Sequence, residues 1–244
     1  MYLHGRNVLK EILNLKYTLK IKRVIFTDQK NTDTGLMKLR KMTEERYRVD
    51  ILSPQELYNL SREKKHQGVV IELREFPFFD YREIIEDNKD KKNSLIIFLD
   101  QVQDPHNFGA IIRSSVACGA DGIIITERAS SDVSPAVIKV SSGLAFRIKI
   151  SKIPNLRNVL KKFQESDYWI YAAGMEGKNY FDESMPERSV FIFGNEGQGV
   201  RRLIKESSDE IISIPMRREV DSLNVAASAA VLLFEYSRQM YKKS

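Results

Sequence analysis

The chain has 244 residues, enough for one large domain or two modest ones, and its 42% hydrophobic and 30% charged residues suit a soluble protein with a proper core. No apolar run approaches the roughly 18 residues of a membrane span, and Met1-Tyr2-Leu3-His4-Gly5-Arg6 lacks the charged-then-apolar pattern of a secretory signal. A single cysteine, Cys118, excludes an internal disulfide framework and fits a reducing cytoplasm, and the three scattered histidines give no zinc-ligand spacing, so no metal is expected.

Net charge is +6, unevenly placed. Residues 1–75 carry 16 Lys+Arg against 10 Asp+Glu, whereas residues 93–244 carry 19 against 18. A basic N-terminal third beside a near-neutral remainder suggests a polyanion-contacting module attached to a second domain, although an ordinary solvated basic surface has the same composition.

Residues 1–75 read as a small α/β unit. His4 to Leu15 has a helical apolar pattern through Val8, Leu9, Ile12 and Leu13. Val24-Ile25-Phe26 is a short buried strand, Leu36 to Arg46 a charged helix, and Tyr47 to Leu52 a strand. Ser53-Pro54-Gln55-Glu56 is a capping box with proline at the first helical position, opening a helix that should run to about Lys64. Val69-Val70-Ile71 is the last strand of the unit. Residues 76–93 look like a connector with a short helix inside it.

Residues 94–240 alternate strands and helices. Strands are expected at Leu95–Leu99, Gly122–Ile125, Arg147–Ile150, Trp169–Ala172, Val190–Phe193 and Glu210–Ile214. They are mostly continuous apolar runs, as expected when helices cover both sheet faces. Helices are expected at Phe108–Cys118, Pro135–Ser141, Leu156–Gln164 and Val200–Lys205, with a last one after Asn224. This is a parallel α/β domain, in which ligands bind at the carboxyl ends of strands.

Three post-strand loops stand out. Asp100 to Gly109 contains Asn107, suited to capping a helix, and Arg113 lies six residues further on, where a surface ion pair is the ordinary role. Gly194-Asn195-Glu196-Gly197-Gln198-Gly199 has glycines that let backbone approach a ligand, or that simply make a flexible turn. It matches neither the phosphate-binding G-x-x-x-x-G-K-S/T pattern nor an early G-x-G-x-x-G, which disfavours a dinucleotide-dependent oxidoreductase. The third loop runs from Pro215 to Ala227. Ser222 or Asn224 can cap the helix that follows, which presents Val225, Ala229, Leu232, Leu233 and Tyr236 on one face. No nucleophile–base pair emerges.

Taken in order, Asn107-x-Gly109-x-x-x-Arg113, Gly194-Asn195-Glu196-Gly197-x-Gly199, and Ile214-Pro215-Met216 through Ser222-Leu223-Asn224-Val225-Ala226 resemble the three motifs of the SpoU/TrmH-type (SPOUT class) RNA ribose 2′-O-methyltransferases. The likeness spans residues 94–240. His4-Gly5-x-x-Val8 and His66-Gln67-Gly68 resemble the accessory RNA-binding module of many members, most like the subgroup acting on a guanosine ribose of large-subunit, 23S-type ribosomal RNA.

The resemblance implies a C-terminal trefoil-knotted α/β methyltransferase domain at 94–244, a linker at 76–93 and an N-terminal RNA-substrate-binding domain at 1–75. It also implies a cytoplasmic homodimer, S-adenosylmethionine as cofactor and structured RNA as substrate. By resemblance Gly194, Asn195, Gly197, Gly199, Ile214, Met216, Leu223 and Val225 hold the cofactor. Arg113 stabilises the reacting ribose oxygen or grips the target phosphate, Asn107 orients Arg113 or the ribose, and Glu196 positions Arg113 or binds RNA. Ser222 and Asn224 hydrogen-bond at the ribose or cap the helix. His4, Arg6, Lys20, Lys22, Arg23 and His66 are expected on the RNA face. The rival readings are a tRNA ribose methyltransferase, an antibiotic-resistance methylase of ribosomal RNA, and a non-catalytic RNA-binding assembly factor. The last of these has no need of Asn107, Arg113, Glu196 and Asn224 together.

Overall fold

The computed structural model describes residues 1–28, 34–63, 66–217 and 222–243. In chain order the elements are β1 (Tyr2–His4), α1 (Arg6–Leu13), β2 (Ile21–Thr27), α2 (Thr34–Glu44), β3 (Val49–Leu52), α3 (Pro54–Ser61) and β4 (Val69–Leu73). Next come α4 (Tyr81–Asp87), β5 (Ser94–Asp100), α5 (Pro105–Ala117), β6 (Gly122–Thr126), α6 (Pro135–Val140), a 3₁₀ turn at Leu144–Phe146, β7 (Lys149–Ile153) and α7 (Leu156–Gln164). They are followed by β8 (Trp169–Asn179), β9 (Arg188–Gly194), α8 (Arg202–Lys205), β10 (Glu210–Ser213) and α9 (Val225–Lys243).

The chain forms two compact units, Met1–Pro77 with Val133–Arg147, and Phe78–Asp132 with Ile148–Ser244. The boundaries drawn from sequence differ from this division in two places. The segment 133–147, which the strand–helix alternation assigned to the parallel domain, packs within the first unit. The segment 78–93, read as a connector, packs within the second.

In the first unit the strands are ordered β1-β4-β2-β3, with β4 antiparallel to both neighbours and β2 parallel to β3. Ile25 and Val70 are opposite each other and pack on Leu57 of α3. By the two-residue period, Val24, Phe26, Val69 and Ile71 turn to the other face, and all are buried. Both faces being covered explains the unbroken apolar runs. The sequence pattern placed His4 at the start of a helix; instead Leu3 pairs with Ile71 and β1 occupies Tyr2–His4. Three residues are too few to show a strand period. The capping box at α3 is present, Ser53 N donating to Glu56 Oε2 at 2.8 Å. That helix ends at Ser61, with Arg62 in the left-handed conformation, short of the expected end near Lys64, which itself lies outside the described residues.

The segment 133–147 is tied to this unit by several contacts. Tyr17 Oη donates to Phe146 O at 3.1 Å, Arg147 pairs with Glu11, and Lys139 pairs with Glu63 at 2.7 Å. Gly143 has φ +87°, and a Cβ there would stand 2.9 Å from Val8 Cα, so the close approach of this segment to α1 requires glycine.

The second unit is a sheet ordered β10-β8-β9-β5-β6-β7, every neighbouring pair parallel. On one face Phe98 meets Phe163 edge-on at 5.2 Å, amid Ile96, Ile192, Leu160 and Ile84 from the sheet, α7 and α4. The helix α4 has its own capping box, Asp80 with Glu83, and places Ile84 in that core. On the other face α5 and α9 lie together. Tyr236 of α9 stacks edge-on against Phe191 at 6.2 Å and donates to Glu187 O. Ala229, Leu232, Leu233 and Tyr236 are buried, as the helical pattern indicated, with Val225 half-buried.

Candidate active site

Because all six strands run parallel, their carboxyl ends share one edge. From β5 the chain proceeds outward through β6 and β7, then crosses to β8, β9 and β10 on the other side. The strand order therefore reverses between β5 and β9, the place where open parallel sheets bind ligands. The loops that follow β5 and β9 are the first two singled out in the sequence.

The end of β5 carries Asp100, fully buried. A carboxylate taken out of water needs a charged partner, and Arg201 supplies it. Asp100 Oδ1 accepts from Arg201 Nε at 2.9 Å and Nη2 at 2.7 Å, while Oδ2 accepts from Arg201 N at 3.0 Å. This fork pins the far end of the 195–200 loop to β5. Sequence reasoning missed the pair, although an aspartate ending an apolar strand was the signal.

Between these anchors the loop folds back on itself. Asn195 N donates to Gly199 O at 3.1 Å and Gly199 N to Asn195 O at 2.8 Å. A Cβ on Gly194 would lie 2.0 Å from Gly199 C, so this glycine is demanded by the turn itself. Asn195 holds the loop through its side chain, Oδ1 accepting from Gly197 N at 2.9 Å and Nδ2 donating to Gln101 O at 3.1 Å.

Glu196 reaches from this loop to the start of α5. Its Oε1 accepts from Asn107 Nδ2 at 3.1 Å and Asp104 N at 3.2 Å. Asn107 Oδ1 accepts from Asn224 Nδ2 at 2.9 Å, and Asn224 Oδ1 accepts from Ala226 N at 2.9 Å at the start of α9. The chain of bonds has one possible polarity. Helix N–H groups at one end and a carboxylate at the other dictate which way both amides face. Partial burial alone would raise the Glu196 pKa, but the hydrogen bonds from Asn107 and backbone N–H groups outweigh it and hold the carboxyl below its ordinary range.

The structure thus brings together Asn107, Glu196, Asn195 and Asn224 from all three loops. Asn107 is not a helix cap; Asp104 caps α5, accepting from His106 N at 2.8 Å, with Pro105 next. Of the two residues offered as cap for α9, Asn224 takes that role and Ser222 is exposed. Arg113 lies exposed on α5, two turns beyond its start. Gly197 and Gly199 are exposed and Gly194 is buried. Ile214, Met216 and Val225 are half-buried and Leu223 is exposed, while residues 218–221 of the third loop lie outside the described residues. Also at this end, β8 pairs with β10 through Ala172 and then through Lys178, so residues 173–177 form an excursion beside Ile211 and Ile212. The alternation read in sequence ended at Ala172 and did not reveal it.

In the first unit the two hallmark segments are adjacent. Arg6 N donates to Gln67 Oε1 at 3.1 Å and Arg6 Nε to Gln67 O at 3.0 Å, while His66 Nδ1 accepts from Gly68 N at 3.0 Å. His4 lies 3.3 Å from Glu63. Burial lowers the pKa of His4, Lys139 and His66 lowering it further and Glu63 opposing; burial likewise lowers that of His66. Of the four Lys and Arg residues expected on the RNA face, Lys20, Lys22 and Arg23 are ion-paired. Lys20 pairs with Glu75 at 2.6 Å and Lys22 with Glu72 at 2.9 Å. Arg23 bridges Asp50 and Glu72 at 2.8 and 2.6 Å, tying β2 to both neighbours.

The profile of the SpoU rRNA Methylase family matches residues 94–234, and that of the RNA 2′-O ribose methyltransferase substrate binding domain matches residues 2–79. A protein of Borreliella burgdorferi named as an uncharacterized tRNA/rRNA methyltransferase is 32% identical over 197 residues, 78% of this chain and 86% of its own. The 23S rRNA (guanosine-2′-O-)-methyltransferase RlmB of Yersinia pestis is 36% identical over 175 residues, 71% of each chain. Among solved structures the fold is similar to that of the SpoU methyltransferase AviRb from Streptomyces viridochromogenes, determined in complex with AdoMet. The TM-score is 0.85 at 22% identity, covering 99% of this chain and 90% of that one.

Proposed function

Because this chain belongs to the SpoU rRNA Methylase family, we propose that it is the enzyme that transfers the methyl group of S-adenosylmethionine to a ribose 2′-oxygen of ribosomal RNA, on a guanosine. The observation that carries this reading is the hydrogen-bonded chain Glu196–Asn107–Asn224, which joins all three loops at the reversal of strand order. A protein that only bound RNA would have no need of it.

The site's composition fits the cofactor. The loop 194–199 offers backbone groups without bulky side chains, and Ile214, Met216, Leu223 and Val225 offer partly exposed aliphatic surface suited to the faces of adenine. Gly194, Asn195, Gly197 and Gly199 with these four would hold S-adenosylmethionine, which supplies the electrophilic methyl carbon when bound. Glu196 and Asn107 are positioning residues, because their polar atoms are engaged with one another and with backbone. Asn224 fixes the start of α9, and Ser222 is exposed beside it for the ribose. The attacking 2′-hydroxyl develops negative charge as its proton passes to solvent water at this exposed edge. The Arg113 guanidinium offers N–H donors and no acceptor, and acts by stabilising that charge and gripping the adjacent phosphate.

The first unit selects the RNA, with His4, Arg6 and His66 forming one patch and Lys20, Lys22 and Arg23 adding positive charge that their acidic partners moderate. The second unit carries the family's trefoil knot and forms a homodimer, for which exposed Met175, Phe181, Phe234 and Tyr241 supply apolar surface. The enzyme works in the cytoplasm; no helix among the described residues is long and apolar enough to cross a membrane. Calorimetric titration with S-adenosylmethionine, with light scattering on the same sample, tests the reading. Binding by a dimer is expected, and a monomer that binds no S-adenosylmethionine would overturn it.

A further inference from the structure

Two cavities of the second unit meet at Asn158. One, of about 350 Å³, is walled by Phe79, Tyr81 and Lys152; the other, of about 500 Å³, by Arg157, Lys161 and Ser207. Together they make a groove along α7. The carboxylates in its walls are neutralised, Asp80 by Arg82 at 2.9 Å and Glu206 by Arg202 at 3.2 Å. Lys152 is balanced by Asp132 at 3.0 Å. Arg157 and Lys161, one turn apart on the exposed face of α7, form no ion pair among the described residues. The groove therefore keeps a net positive charge on one side, with Glu165 acting on Lys161 from one turn further along α7. On the other it has aromatic rings already stacked with cations, Lys149 over Phe79 at 5.0 Å and Arg82 over Tyr81 at 4.8 Å.

One end of the groove, at Ile153, Pro154 and Asn155, lies at the carboxyl end of β7. Glu127 N donates to Ile153 O at the end of β7, and Ser131 N to Val102 O in the loop after β5, both at 2.8 Å. The loop between them presents exposed Arg128. Two strand spacings, about 10 Å, separate β5 from β7.

We infer that this groove holds a single-stranded stretch of the RNA substrate flanking the target nucleotide, an inference that rests on the RNA-methylating function proposed above. Phosphates lie against Arg157, Lys161 and Arg128, and unstacked bases lie on the Phe79 and Tyr81 side. Cations along one wall with aromatic rings along the other are what a sequence-tolerant single-strand track requires. Recognition of folded RNA likewise falls on unpaired segments.

The test uses the full chain, with Arg157→Ala and Lys161→Ala combined, and two probes, protein-free large-subunit ribosomal RNA and an oligouridine 20-mer. Removing two phosphate contacts should weaken binding of both by about tenfold at low salt and reduce the slope of log K against log salt by about 1.4. Circular dichroism and S-adenosylmethionine affinity should stay at wild-type values. Wild-type RNA affinity and salt slope in the folded double variant would overturn the inference. So would normal binding of naked RNA with loss only on ribosomal particles, which would give the groove to a protein partner. A wild-type enzyme that binds RNA yet methylates none would instead count against the function proposed above.

Discussion

At the residue scale, the site rests on two amides whose orientation is dictated from both ends. Asn107 gives its Nδ2 to Glu196 and its Oδ1 to Asn224, so Asn107→Asp would set a second carboxylate against Glu196. Like charges at that distance disfavour joint ionisation, so one of the pair must take up a proton. The expected result is a folded protein whose turnover falls as pH rises through the new acid's titration, a limb absent from the wild-type profile. Arg113→Ala should behave differently. Loss of a charge-stabilising donor costs about a hundredfold or more in turnover, while S-adenosylmethionine affinity measured by calorimetry stays nearly unchanged; near-normal turnover at saturating RNA would remove Arg113 from the role assigned to it. The identities of Asn107, Glu196 and Asn224 were legible because each follows a strand in a recurring motif. Their bonding was not, since it links residues 89 and 117 positions apart. Asn107 was misplaced as a cap because Asp104-Pro105, an equally good start, lies three residues earlier.

At the scale of elements, the buried end of β5 makes the strongest demand. Removing the partner of a buried charge leaves that charge uncompensated, which costs on the order of 3 kcal/mol when both members are buried. Arg201 is half exposed, so Arg201→Ala should destabilise the protein by less than that in chemical denaturation, and Asp100→Asn, which removes the charge itself, should cost less still. Equal losses from the two would show that the ion pair is not what holds the 195–200 loop. Most elements were readable from periodicity and caps, α7 to the residue. What escaped were features without a period: the three-residue β1, the excursion 173–177 and the attachment of 133–147 to the first unit, which depends on Gly143, Tyr17 and Glu11 from distant parts of the chain.

The same attachment gives the first unit a pH dependence. His4 and His66 both have lowered pKa values in the fold, so the neutral imidazoles are favoured there and the unfolded chain binds more protons below pH 6.5. The stability they contribute is complete above that pH and is lost as pH falls from 6.5 through the lowered folded values. Thermal unfolding midpoints should drop over this range, and His4→Gln should flatten the fall. A midpoint that is level between pH 7 and 5.5 in the wild type would contradict the burial of His4 beside Lys139.

For the whole molecule, the division into units decides which experiments are sound. Cutting the chain near Lys92, at the end of the apparent connector, would strip α4 and its Ile84 from the second unit and orphan residues 133–147 from the first. The basic N-terminal charge was visible in composition, yet Lys20, Lys22 and Arg23 spend much of it on carboxylates of their own unit. Charge counting sees no pairing, so it overstates what is left for RNA. The central claim, methylation of a ribose in ribosomal RNA, is tested most directly with the full-length protein, labelled S-adenosylmethionine and total RNA from cells lacking the enzyme. The methylated position is then mapped by resistance of the adjacent phosphodiester to alkaline hydrolysis. Label confined to one 2′-O-methylated guanosine of large-subunit ribosomal RNA is the predicted result. Label on a base, or on tRNA alone, would contradict it.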